Sequence, residues 1–72
     1  MLARKRSVSI SGHRTSFSLE DIFFDDLCRL AENENLSIAA LVTKIDSERP
    51  RDSNLSSSLR LYVLDAAKRG LL

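Results

Sequence analysis

The sequence predicts a mainly α-helical domain led by a short β ribbon, and three observations carry that prediction. Apolar and polar residues alternate over residues 7–19, the period of a half-buried strand. Three later segments, residues 20–33, 37–48 and 54–69, place apolar residues at helical spacing. The chain has 72 residues, enough for a single domain spanning 1–72 and near the lower limit for burying a core.

The strand segment reads Ser-Val-Ser-Ile-Ser-Gly-His-Arg-Thr-Ser-Phe-Ser-Leu from Ser7 to Leu19. Its phase breaks at Gly12, because Val8 and Ile10 are even and Phe17 and Leu19 are odd. A type II′ turn at Gly12-His13 repairs the phase, setting Val8 opposite Phe17 and Ile10 opposite Thr15. Those five residues then share one face, and Lys5, Ser7, Ser9, Ser11, Arg14, Ser16 and Ser18 share the other. The competing arrangement has one strand at 14–19 and no hairpin. In either case residues 1–6 form a basic arm.

Ser18-Leu19-Glu20-Asp21 opens the first helix, with acids in the first turn where the helix dipole favours them. Phe23, Leu27, Leu30 and Ala31 form its apolar stripe, widened by Phe24 and Cys28. Ser37 is the expected N-cap of the second helix, whose stripe is Ile38, Leu41, Val42 and Ile45. Arg49-Pro50-Arg51-Asp52-Ser53 breaks the chain. Ser53 or Asn54 caps a third helix carrying Leu55, Leu59, Tyr62, Val63 and Ala66, and Gly70 stops it.

Composition excludes several classes. One Cys rules out an internal disulfide, and one Cys with one His rules out a zinc site of three or four such ligands. No apolar run approaches the roughly 20 residues of a membrane span. The basic Met1–Arg6 start runs into alternating serines rather than a signal peptide's apolar core, so a cytoplasmic location is expected. Catalysis is not expected: His13 is the one candidate base, and Asp25 and Asp26 diverge by about 100° on a helix. No metal, cofactor or small-molecule substrate is implied. Net charge is +1 but unevenly spread, with +4 over residues 1–14, −5 over 15–36 and +2 over 37–72. A basic start before an acidic segment points to a local anion contact.

The order of Arg14-Thr-Ser-Phe-Ser-Leu19, an amphipathic helix and Leu36-Ser-Ile-Ala-Ala-Leu-Val42 resembles the ribbon-helix-helix family of DNA-binding proteins. It is similar in particular to a bacterial subfamily of small ribbon-helix-helix proteins, through Lys5-Arg-Ser-Val8, Gly12-His-Arg-Thr-Ser16 and Asn54-Leu-Ser-Ser-Ser-Leu-Arg60. The resemblance implies a ribbon-helix-helix fold with an additional C-terminal helix, built as an intertwined homodimer. Strands within 14–19 of two copies would pair across a two-fold axis, and Phe17, Leu19, Leu27, Leu30, Leu41, Val42 and Ile45 would be buried across the dimer.

It further implies a transcription regulator that sets a two-stranded ribbon into the major groove of double-stranded DNA. Arg14, Ser16 and Ser18 would then face bases, with Arg14 the strongest reader. Arg4, Lys5 and Arg6 would add phosphate contacts. The backbone amides of Ser37 and Ile38 would clamp phosphate at a helix N-terminus. Glu20 departs from the pattern, since a carboxylate there repels phosphate. That departure, with the acidic first helix, the near-zero charge and the Leu71-Leu72 end, motivates the alternative of a protein-interaction module that reads no DNA.

Overall fold

The structure, a computed structural model, describes residues 2–72. Two antiparallel strands, β1 (Ala3–Ile10) and β2 (His13–Glu20), are followed by helices α1 (Asp21–Asn33), α2 (Ile38–Glu48) and α3 (Leu55–Lys68). The two-strand ribbon and the three helices are those the sequence predicts, and of the two strand alternatives the hairpin is the one formed.

Its turn and register differ from expectation. Ser11 and Gly12 both have positive φ, +51° and +80°, so they are the two central residues of a type I′ turn. Val8 therefore faces Thr15, Arg6 faces Phe17 and Arg4 faces Leu19. The strands are offset by two residues from the expected pairing. Because side chains alternate with a period of two, a two-residue offset leaves every side chain on its expected face. The observed register also pairs Ala3 with Glu20, so the ladder runs the full length of both strands. Residues 3–6, expected as a loose basic arm, are thereby the first half of β1.

Caps set the helix limits. Ser37 Oγ accepts from the Ala40 amide at 3.0 Å, and Asn54, rather than Ser53, accepts from the Ser57 amide at 3.2 Å. After α1, Asn35 takes φ +58°, and the Leu36 and Asn35 amides donate to the carbonyls of Ala31 and Glu32 at 2.8 and 3.0 Å. That is a Schellman close, with asparagine in the position glycine usually holds. Gly70 closes α3 the same way at φ +75°. Arg49 bonds the Asp46 carboxylate and the Ser53 carbonyl, fixing the turn around Pro50.

The core lies beneath the ribbon's inner face. Phe17 and Leu19 from β2 meet Leu27, Leu30 and Ala31 of α1, Leu41, Val42 and Ile45 of α2, and Leu59, Val63 and Ala66 of α3, none more than 6% exposed. Phe17, Leu19, Leu27, Leu30, Leu41, Val42 and Ile45, the residues expected in the core, are all buried. β1 pairs with β2 above this core and α3 adds Leu59, Val63 and Ala66 to it, while Ile22, Leu61, Leu64 and Leu71 stay exposed. The Glu34 carboxylate binds the three helices together, accepting from Lys44 Nζ at 3.1 Å and from the Tyr62 hydroxyl at 2.8 Å.

Candidate nucleic-acid interface

Alternation divides the ribbon's charges as well as its apolar groups. The outward face carries Lys5, Ser7 and Ser9 on β1 and Arg14, Ser16 and Ser18 on β2, all exposed. In space they form three rows: Ser9 beside Arg14 near the turn, Ser7 beside Ser16, and Lys5 beside Ser18. The Ser7 and Ser16 hydroxyl oxygens are 3.4 Å apart. Among the described residues, neither Lys5 nor Arg14 forms an ion pair, so both charges are available to a ligand.

Arg4 and Arg6 are placed elsewhere. Their even positions put them on the inner face with Val8 and Ile10. Arg6 lays its guanidinium over the Phe24 ring, 4.0 Å from the centroid, while one terminal nitrogen bonds Asp21 and reaches the Leu19 carbonyl. Its buried Nε has no partner among the described groups. Its side chain is 20% exposed, so it serves as a packed link between ribbon and α1 rather than as a free cation. Arg4 also reaches Asp21, at 3.4 Å, but stays largely exposed. The structure therefore separates Arg4 and Arg6 from Lys5, with which sequence order grouped them.

Glu20 ends β2 on the outward side, yet its carboxylate turns toward α3. Arg60 grips it in a two-pronged pair, Nε to Oε1 at 2.9 Å and a terminal nitrogen to Oε2 at 3.3 Å. This guanidinium, helped by the residue's own backbone amide, holds the Glu20 carboxyl below the usual carboxylate range. The sequence reading missed Arg60, forty residues away. Ser56, also missed, accepts from the Ser18 backbone amide at 3.1 Å. That contact covers part of β2's outer edge, and β1 occupies the inner edge.

Ser37 and Ile38 lie at the start of α2, which packs against β1. With the Ala40 amide taken by Ser37 Oγ, the amides of Ile38 and Ala39 remain without an intrahelical acceptor. Cys28 is half-buried in α1, and burial, with Asp25 and Glu32 nearby, pushes its thiol pKa up. His13 is exposed at the start of β2. Among the described residues no His, Cys, Asp and Glu cluster could hold a metal ion, and no helix is long and apolar enough to cross a membrane.

The two tethering carboxylates predict acid sensitivity. Glu20 is held down by Arg60, and Glu34 by the Tyr62 hydroxyl and then by Lys44. A folded-state pKa below the unfolded value stabilises the fold above the unfolded pKa, 4.5 for glutamate. That stabilisation is lost as pH falls through the folded value. Melting temperature should therefore decline below about pH 4.5. Glu34→Gln should lower the melting temperature at pH 7 and flatten the decline. An unchanged acid profile in that variant would rule out the tether.

A family model described as ribbon-helix-helix domain matches residues 3–67, from the start of β1 nearly to the end of α3. No curated protein and no solved structure matches the chain.

Proposed function

The chain belongs to the ribbon-helix-helix domain family, and on that premise we propose that it is a double-stranded DNA-binding protein, a transcription regulator that sets the outward face of its β1–β2 ribbon into the major groove. The observation that carries this reading is the outward face itself. It consists of hydroxyls and two cations that are unpaired among the described residues, with the neighbouring carboxylate neutralised by Arg60. A major groove about 12 Å wide admits a two-stranded ribbon and offers acceptors to such a face.

In this reading Arg14 binds the acceptor edge of guanine, and Ser16 and Ser18 adapt to most bases. Arg4, exposed beside the ribbon, adds attraction to phosphate that is independent of sequence. The Ser37 and Ile38 end of α2 offers backbone amides and the positive end of a helix dipole to a flanking phosphate. Arg6 stands apart from this set, held by Asp21 and Phe24. The interaction-module alternative loses its leading motive, because Glu20 does not present a bare carboxylate.

A salt titration on mixed-sequence duplex tests the proposal. Each neutralised phosphate contributes a slope of about −0.9 in log K against log salt. Contacts from Arg4, Lys5 and Arg14 together predict a slope of roughly −3. Absence of binding even at low salt would overturn the DNA reading.

A further inference from the structure

α3 leaves an apolar stripe uncovered. The helix turns Leu59, Val63 and Ala66 into the core and turns Leu61 and Leu64 outward, 64% and 49% exposed. Positions 57, 61, 64 and 68 alternate spacings of four and three, so Ser57, Leu61, Leu64 and Lys68 share one seam along the helix. Ser57 and Lys68 are exposed as well. A single exposed leucine is ordinary, whereas neighbouring ones framed by polar groups mark a contact surface.

The surroundings of the seam are self-complementary. Beside Leu61 a hollow of about 270 Å³ opens between α2 and α3, lined by Ile45, Glu48, Arg49, Ser58 and Tyr62. Glu48 on its rim is exposed, as is Lys68 at the far end of the seam, and among the described residues neither forms an ion pair. They are far apart in one chain, because Ser58 and Lys68 are separated by about 15 Å along α3 at the rise of a helix. An apolar centre with opposite unpaired charges at its two ends fits a copy of itself turned end for end. A two-fold axis between Leu61 and Leu64 sets each leucine against the other one of a second copy. It also brings Lys68 beside Ser57 and Glu48 of that copy, and the small Ser57 leaves room for the lysine stem. Parallel helices would instead set Lys68 against Lys68. The accessible area agrees with an uncovered face: the chain exposes 4964 Å², whereas a self-contained fold of 8.1 kDa exposes about 4,500 Å², about a tenth less.

We propose that the outer face of α3, with Leu61 and Leu64 at its centre and Lys68 and Glu48 at its ends, is a contact surface for a second copy of this chain, the two α3 helices lying antiparallel. The contact goes beyond the DNA reading and does not depend on it. The seam lies on the side of α3 away from the core and the ribbon above it, so this contact adds to any association of copies through the ribbon. One helix face provides a small interface, below about 1,200 Å² in total, which is the range of weak contacts. The surface is therefore open in dilute solution and fills at high concentration or where copies are held side by side.

Sedimentation equilibrium of the full chain from roughly 1 μM to 1 mM spans that range of affinity and provides the test. At the upper end the wild type should average at least twice the mass of Leu64→Arg. Glu48→Lys and Lys68→Glu should each weaken the association by about tenfold, and the chain carrying both exchanges should recover it, because each new lysine then meets a new glutamate of the other copy. All three positions are exposed, so circular dichroism melts in dilute solution should stay close to wild type. A Leu64→Arg chain with the wild-type mass at every concentration would overturn the proposal. Failure of the double exchange to recover what the single ones lose would overturn it too, and would leave the face of α3 to a different protein. Neither result bears on the DNA reading, which the salt titration tests separately.

Discussion

Leu27→Ala and Leu41→Ala are each expected to lower the unfolding free energy by about 2–5 kcal/mol, the usual cost of truncating a fully buried leucine. Both side chains are 0% exposed, one on α1 and the other on α2. A domain of this size has a total stability of roughly 4–11 kcal/mol at typical values per residue. Either change therefore removes a large share, and the double variant should be largely unfolded at room temperature. Leu61→Ala is the matched control. Leu61 is 64% exposed on the opposite side of α3, and its truncation should stay within about 0.5 kcal/mol. Urea midpoints at constant slope provide the measurement. A midpoint that rises with protein concentration would show that association of copies contributes to this stability.

The core was legible from the sequence because helical period alone selects one stripe per helix. Leu27, Leu30, Leu41, Val42 and Ile45 follow from spacing without knowledge of neighbours. The ribbon's faces were legible for a similar reason, since parity survives an error of two in register. The register itself was not. Gly12 was assigned the first turn position, but Ser11 takes that left-handed conformation and Gly12 the second. The small strain of a serine at positive φ is offset by two strands paired along their whole length.

Two further features escaped for physical reasons. Arg6 was grouped by charge with Arg4 and Lys5, although its even position already placed it beside Val8 and Ile10. A long arginine can lie along an apolar face when its head finds Phe24 and Asp21. The Glu20–Arg60 pair joins a strand end to a helix forty residues later, and no local pattern encodes such a contact. The reach of β1 was also hidden, because the alternation begins at Ser7 while the ladder begins at Ala3.

Arg14→Ala is expected to lower affinity for the preferred duplex by about 1–3 kcal/mol and to erase much of the preference over mixed sequence. Glu20 and Arg60 provide variants of opposite sign at the far end of β2. Glu20→Gln breaks the charge pair and releases the Arg60 guanidinium beside the ribbon, adding a cation without adding a residue. Affinity should rise, and the salt slope should steepen by about one phosphate contact. Arg60→Ala does the reverse, leaving a bare carboxylate at the end of the reading face, so affinity should fall. Combining them removes both charges and should return binding close to wild type, because the two groups act on DNA chiefly through each other. Both single variants lose a tether between β2 and α3, so their melts should fall together while their DNA affinities move apart. Changes in affinity that follow the melts, rather than dividing by charge, would show that this end of the ribbon lies away from the phosphates.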